Sequence, residues 1–570
     1  MASPDPGSLN PTQRAAALDA MAQTPLDILV IGGGVTGAGC ALDAATRGLR
    51  VGLVEQRDLA SGTSSRSSKL MHGGLRYLEA KDFALVYEAL QERGLHTNRI
   101  APHMVRPISF LIPLTGRIWQ RLYYGAGVLL YDLMALARGK KFPVHRHLSR
   151  RKALELAPGL KRASLIGGIL YHDAQIDDAR HTVAVARTAA HHGAFIATST
   201  KVVDLLKQDG RIVGARVLDI ESDTEYELRA ERVVNATGVW IDDIQHMAGP
   251  SGLSVQAAKG VHLVVDRTAI DSTTGVVLRT PTSVLFVIPW GDYWLLGTTD
   301  TKWHLDRAHP AASSADIDYL LAQANTALHR PLQRTDVVGV YAGLRPLISG
   351  DAEETARLSR EHAVAQPVPG LISIAGGKYT TYRIMAADAI DMAVEDLTRS
   401  VGPSITDRIE LIGADDWGSV KDSGPALAAH YDLPPVLVER LLWRHGSESA
   451  AVLALADDQP ELLEILPGAG YIAAEAVYAV RHEGALHLED VLARRLRISI
   501  ETIDRGTEIA ARVAALIAPE LGWSASDLAS EVNRWHDRVD AELGANATPD
   551  DETAQSVRRV AVDGRGLVEA

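Results

Sequence analysis

The stretch LDILVIGGGVTGAGCALDAATRGLRVGLVEQ, residues 26–56, leaves few folds open. Residues 26–31 form a short apolar run of the kind that becomes a buried parallel strand. Gly32, Gly34 and Gly37 come next at the spacing G-x-G-x-x-G. The first permits a tight turn, the second lets the backbone approach a pyrophosphate, and the third lets helix and strand pack closely. A helix over about residues 35–47 would direct its free N–H groups and positive dipole end at that pyrophosphate. A second apolar strand, 51–54, ends in Glu55, placed to accept hydrogen bonds from a ribose and unfavourable to a 2′-phosphate. Strand, glycines, helix, strand and terminal acid in this order predict a dinucleotide site.

The residues beyond Glu55 favour FAD over NAD. A nicotinamide enzyme would continue with further βα units, whereas ASGTSSRSSKLMHGG comes within a few residues of the acid. Residues 64–78, SSRSSKLMHGGLRYL, hold four serines, three fixed cations, a histidine and a glycine pair but no carboxylate. Two later segments read as strands returning to the same ligand. AERVVNATGVW (230–240) ends in a small-residue turn, and GLISIAGGKYTTYRIMAADAI (370–390) reads as strand, Gly-Gly, helix. Distant segments converging on one long cofactor suit FAD.

Composition narrows the rest. A chain of 570 residues is too long for one core. With 46% hydrophobic and 23% charged residues it is an ordinary globular protein. A net charge of −13 argues against general nucleic-acid binding. The single cysteine, Cys40, excludes intrachain disulfides and thiolate metal clusters, no HExxH-like spacing occurs, and no metal is expected. Residues 1–24, with one arginine and three prolines, read as a flexible leader without signal or anchor character. The expected location is cytoplasmic.

Seven stretches in order, IGGGVTGAG, SSKLMHGGLRYLE, VVNATGVW, KGVHLVV, VIPWGDYWLLGTTD, YAGLRPL and AGGKYTTYR, together resemble the FAD-dependent, respiratory sn-glycerol-3-phosphate dehydrogenases of the D-amino-acid-oxidase-like group. The resemblance covers residues 26–395, and the helical tail to about 540 resembles that family's C-terminal cap. It implies an α/β fold: a Rossmann-type FAD-binding domain, an antiparallel-sheet substrate domain and a C-terminal helical cap. It implies oxidation of sn-glycerol 3-phosphate to dihydroxyacetone phosphate with electrons passed to a quinone. It also implies non-covalent FAD, held by Gly32, Gly33, Gly34, Thr36 and Gly37, by Glu55 and Gln56, and by Thr63, Ser64, Ser65, Ser67, Ser68 and Lys69. His72, Gly73 and Gly74, Val203, Ala236, Thr237 and Gly238, and Gly377, Lys378 and Thr380 complete that set.

Around the substrate the resemblance implies Arg76 with Tyr77, His262, Arg345 and Lys378. Three cations in glycine-punctuated apolar contexts are costly to cluster without an anion between them. A phosphate carries about −1.5 to −2 charges and three strong acceptors, whereas a carboxylate needs one bidentate arginine, so the cation count favours a phosphorylated substrate over an amino acid. His262 opens an alternating apolar strand, and its titration range suits proton abstraction near neutrality. It is the expected base, with Arg345 stabilising the developing alkoxide, although these roles could be shared or reversed. The helix after Gly376-Gly377 would aim its dipole at the flavin edge that gains charge on reduction, a contribution of about 0.3–1 kcal/mol. Arg66 departs from the pattern, standing where a small residue is expected, and its charge would reach the phosphates or alter the flavin potential.

Residues 116–152 carry nine arginines and lysines against one acid, Asp132, around an apolar, aromatic run. That run is shorter than a bilayer span and suits a helix lying in the membrane interface, where a peripheral enzyme would meet a quinone. The rival readings are a soluble oxidase of the same substrate that reduces oxygen, and a non-catalytic flavin-binding membrane adaptor. The expected domains are a leader (1–24), a discontinuous FAD domain (25–105, 160–240 and 341–400), a membrane-facing segment (106–159), a substrate domain (241–340), a helical domain (405–543) and a disordered tail (544–570). The helical domain's default role is packing or self-association, which leaves a homodimer as the candidate assembly.

Overall fold

The computed structural model describes residues 7–74, 82–116, 119–136, 142–249, 252–280, 284–349 and 361–567. The glycine-punctuated unit folds as its pattern dictates. Strand Leu26–Ile31 is buried along nearly its whole length, helix Val35–Thr46 comes after it, and Val51–Val54 pairs parallel to the first strand with Ile28 opposite Val51. On the other side Leu26–Ile31 pairs parallel with the far half of Thr224–Asn235, Leu29 opposite Val233. Leu371–Gly376, Phe195–Ala197 and His362–Val368 extend this sheet. The near half of Thr224–Asn235 turns outward into an antiparallel ladder with Arg211–Asp219 and Thr200–Gln208. Helices Val35–Thr46, Asp178–His191 and Tyr382–Val394 cover one apolar face through Ala38, Ala186 and Ala389. Their small side chains allow close helix-on-helix approach.

The second sheet is built around the long strand Val255–Asp266, which pairs antiparallel with Tyr293–Gly297 on one side and Val337–Ile348 on the other. It continues through Val284–Trp290, Gly275–Arg279, Arg106–Leu114 and Gly167–Gln175 to the short strand Leu70–Met71. This redraws the expected boundaries. Residues 70–71, 167–175 and 341–348 belong to the substrate-side sheet and not to the FAD domain, because Leu70 pairs with Gln175, Phe110 with Tyr171 and His262 with Tyr341. Within the expected membrane-facing segment, 106–114 is a central strand with Phe110 and Leu111 fully buried. Among the described residues of that segment, the helix Trp119–Leu136 turns an apolar face outward, at Trp119, Leu122, Leu129 and Leu133.

Two further expectations fail. The leader is not flexible from residue 7 onward: Asn10 caps a helix, Pro11–Gln23, by accepting from the Gln13 N–H at 3.0 Å. Leu18 and Met21 of that helix are buried, and Arg14 pairs with Asp219. Nor is the tail disordered over its described residues, 544–567. Asp551–Arg558 is helical, Asp551 reaches the buried Lys259, and Asp563 accepts from Arg57 Nε at 2.8 Å. Both segments look polar because their charged residues are satisfied by partners hundreds of positions away, which composition does not register.

The helical domain, from Trp417–Asp422 to Ala525–Ala547, has its own core of Leu441, Val477, Ile517 and Trp535. It docks through buried ion pairs. Asp58 accepts from both terminal nitrogens of Arg495, at 2.7 and 2.8 Å, and from Arg494 Nε. Burial opposes ionisation of Asp177, Glu475 and Glu483, yet the hydrogen bond with His445 and then Arg444 at Glu475, and neighbouring guanidiniums foremost at the other two, hold each near 2. Their folded pKa values lie below the unfolded ones, so their contribution is complete above the ordinary carboxylate range and is lost as pH falls toward 2. Breaking a buried pair by removing one partner costs about 3–5 kcal/mol. Asp58→Asn, which takes the paired carboxylate from Arg495 while Arg494 keeps Glu489 and Asp490, is expected to lower the urea midpoint correspondingly; an unchanged midpoint would show that Asp58 does not secure the domain.

Candidate active site

A cavity of about 930 Å³ runs between the two sheets. At one end the glycine turn forms its floor. Gly32 adopts φ +113°, and a Cβ there would lie 2.8 Å from the Ala236 carbonyl oxygen. A Cβ on Gly37 would lie 1.9 Å from the Gly32 oxygen, so Gly37 serves helix–strand packing. A Cβ on Gly34 would meet only Ser64 Oγ, at 3.2 Å, and otherwise enter the cavity. Ser64 Oγ accepts from the Val35 N–H at 2.9 Å, and Gly34, lacking a side chain, leaves the helix start open toward the cavity. Glu55 accepts from the Gly33 N–H at 2.6 Å and the Arg57 N–H at 2.8 Å. Burial pushes this carboxyl up, and those two N–H groups oppose the rise. Gln56, Thr36, Thr63, Ala236, Thr237 and Gly238 line the same end. A helix N-terminus, an open glycine and an oriented carboxylate suit the pyrophosphate and ribose of a dinucleotide.

The serine-rich stretch splits into two functions. Ser64, Ser67, Ser68, His72 and Gly74 line the cavity with Thr63. Ser65 and Lys69 do not. The Lys69 ammonium is fully buried against Asp178 Oδ1 at 2.8 Å and the Ser65 carbonyl at 3.1 Å, so this cation neutralises a carboxylate of the protein and not a ligand phosphate. Gly73 also faces protein: its N–H donates to Tyr131 Oη at 2.8 Å, and a Cβ there would strike Leu90 and Tyr131 at 2.7 Å. Gly33 is occupied by Glu55, and Val202 takes the lining position expected of Val203, its neighbour on an alternating strand. Arg66 lines the cavity while donating to the Ala308 carbonyl at 3.2 Å.

The same cavity is lined by His262, Arg345, Gly377, Lys378 and Thr380. Arg76 and Tyr77 lie outside the described residues. Arg345 donates from Nη2 to Thr298 Oγ1 at 3.0 Å and the Thr299 carbonyl at 3.2 Å, with Asp300 at 3.4 Å from Nη1. Asp300, with Asp243, shows that the lining is not free of carboxylates. The His262 ring stacks on Tyr341, centroids 4.9 Å apart and planes within 8°. It fits because its partner across the ladder is Gly297, where a Cβ would lie 2.2 Å from His262 Cδ2. Ser68 Oγ contacts His262 Nε2 at 2.8 Å, and Nδ1 is buried without a hydrogen-bond partner among the described residues. Burial, then Arg345, then Lys69 hold His262 well below the usual histidine range. The ring is therefore neutral at neutral pH.

Residues 27–383 match the family described as FAD dependent oxidoreductase, and residues 404–528 match the C-terminal domain of alpha-glycerophosphate oxidase. The chain is 54% identical over 560 residues to a glycerol-3-phosphate dehydrogenase of Mycobacterium leprae, covering 98% of this chain and 95% of that one. The chain belongs to the FAD-dependent glycerol-3-phosphate dehydrogenase family. The human mitochondrial glycerol-3-phosphate dehydrogenase is 37% identical over 545 residues, covering 91% of this chain and 74% of that one. The crystal structure of the glycerol-3-phosphate dehydrogenase from Bacillus halodurans complexed with FAD superposes with a TM-score of 0.76 at 31% identity, covering 94% of this chain and 97% of that one. FAD is thus the cofactor that the glycine floor fits.

Sequence reasoning missed Tyr341, Asp178 and Arg497, which hold the site from behind, and Thr298, Thr299 and Asp300, which aim Arg345. The last three are visible in GTTD, a turn between two strands, but nothing local marks them as partners of an arginine some 45 positions on. Gly34→Ala is expected to leave the fold intact and weaken FAD binding by about tenfold or more, read by quenching of FAD fluorescence on titration into apoprotein. Gly37→Ala should instead lower soluble yield. Equal FAD affinity in Gly34→Ala and the parent would remove the glycine floor as the pyrophosphate site.

Proposed function

We propose that the protein oxidises sn-glycerol 3-phosphate to dihydroxyacetone phosphate and passes the electrons to a membrane quinone. The observation that carries this reading is that His262 and Arg345 line the same cavity as the glycine floor. Bound FAD would supply the hydride acceptor for the substrate carbon. The phosphate lies against Lys378 and, by the family resemblance, Arg76. Arg345, aimed by Thr298 and Thr299, sits beside the oxygen that gains negative charge, with electrostatics set in advance of reaction.

His262 takes the hydroxyl proton. Its plane is fixed by Tyr341, and its Nε2 lies 2.8 Å from Ser68 Oγ, so that hydroxyl must yield or relay the proton. In the free enzyme burial and Arg345 make this nitrogen a weak base. A dianionic substrate beside Arg345 offsets that cation and raises the basicity of His262 when it is needed. His262→Ala and Arg345→Met should each slow anaerobic flavin bleaching by saturating glycerol 3-phosphate by about 10²–10⁴-fold. In Arg345→Met the acid limb of the kcat/KM profile should also move to higher pH, because loss of the cation lets His262 protonate sooner. Wild-type bleaching rates in both variants would reject the assignment.

The quinone reading draws on the helix Trp119–Leu136. Its outward face exposes Trp119, Leu122, Leu129 and Leu133, while Tyr124, Gly127 and Leu130 line the cavity. The exposed cations Arg146, Arg150, Arg151 and Lys152 lie just beyond it in the chain. Among the described residues no helix is long and apolar enough to cross a membrane. A helix lying in the interface would bring an apolar acceptor to the cavity wall. The protein should float with anionic vesicles at low salt and less at high salt, and Leu129→Ser with Leu133→Ser should cut binding by at least about tenfold. Absence of binding at low salt, with reoxidation by oxygen alone, would favour the oxidase reading that the matched C-terminal domain also suggests.

A further inference from the structure

A second, smaller cavity of about 60 Å³ lies where the helical domain and the tail meet the loop that carries Arg66. Arg66, Arg538 and Arg558 line it, with His309, Asn546 and one carboxylate, Glu542. The carboxylate is already committed. Arg538 Nε donates to Glu542 Oε1 at 2.9 Å, and Arg558 stands 3.7 Å from the same oxygen. Arg505 lies 3.9 Å from Oε2, adding a fourth cation behind the wall. Glu489, which approaches Arg538 at 2.7 Å, is shared with Arg494. Arg66 makes no ion pair among the described residues and donates to a backbone carbonyl, that of Ala308. His309 supplies no charge, because burial and Arg558 hold it neutral.

Three guanidiniums around one shared carboxylate leave an excess of positive charge in a half-buried space. Such an excess is costly unless an anion offsets it. Burial, with Arg538 and Arg558 nearby, already drives Arg66 down to about 9. The volume exceeds the roughly 10–15 Å³ that one water requires, and it suits a small ion with a water beside it, not a sugar phosphate. We propose that this cavity binds a small inorganic anion, which ties Arg66 to the helical domain and tail. Arg66, which borders both cavities, directly precedes Ser67 and Ser68, so the anion holds the loop that positions His262. The site is separate from the substrate phosphate site and does not depend on the proposed reaction.

The test uses the full-length, FAD-loaded protein. Crystals soaked in sodium bromide should show an anomalous peak among Arg66, Arg538 and Arg558, and a phosphate soak should show whether an oxyanion also fits. Water alone in the cavity, or a peak no stronger than those on exposed arginines, meaning an adventitious ion only, would overturn the proposal. In solution, sodium chloride should raise the melting temperature above that in sodium gluconate at equal ionic strength, saturably and by on the order of 2 °C. Arg558→Gln should abolish that increment; an increment equal to the parent's would overturn the proposal. If Arg558→Gln fails to fold, the bromide map of the unmodified protein decides.

Discussion

Asp178 is the point on which the active end of the cavity depends. One of its oxygens accepts from the Ser67 N–H at 2.9 Å and the Ser67 hydroxyl at 2.7 Å. The other accepts from Lys69 at 2.8 Å and from Arg497 of the helical domain. The Ser67 carbonyl in turn accepts from Tyr341 Oη at 3.0 Å, and Tyr341 stacks on the His262 ring. The next residue, Ser68, holds Nε2 of that ring. One buried carboxylate thereby fixes a serine pair, an aromatic plane and the candidate base, and it draws a cation from a domain that contributes nothing else to the chemistry. A carboxylate with its lone pairs used this way offsets its desolvation only if all partners remain. The helical domain is therefore part of the active site's support and not an appendage.

The same local pairing explains why an acidic chain can hold anionic ligands. The net charge of −13 is an average over the whole chain, while the walls of the cavity are governed by their immediate partners. Lys69 and Arg497 are committed to Asp178, and Arg57 to Asp563. Arg345 meets Asp300 at 3.4 Å, a loose contact beside the tight pairs elsewhere.

The parts of this fold that are legible in the sequence are those whose partners are local. Residues 26–56 declare strand, turn and helix because each step depends on neighbours within a few positions, and Gly32, Gly34 and Gly37 differ in role as their spacing implies. The second sheet is legible as alternation but not as topology. Leu70–Met71 and Gly167–Gln175 sit in it because of pairings about a hundred residues apart. Lys69 reads as a cofactor contact because a cation between serines near a phosphate site has that meaning locally; the residue that claims it, Asp178, is 109 positions away. The leader and tail mislead for the same reason, their charges being neutralised by Asp219, Arg57 and Lys259 in remote segments.

The placement of the Trp119–Leu136 helix joins these observations. Its inward residues close the cavity, with Tyr131 bonded to Asp173 and to the Gly73 N–H, so the helix is anchored to the loop beside the flavin end. Its outward residues leave an apolar face that the described residues do not cover. A soluble enzyme gains nothing from exposing Trp119, Leu122, Leu129 and Leu133 along one helix, since each costs hydration that burial would recover. An enzyme whose electron acceptor dissolves in lipid has a use for both faces at once. On the proposed quinone reading, the helix that closes one wall of the cavity would also be the surface that meets the acceptor.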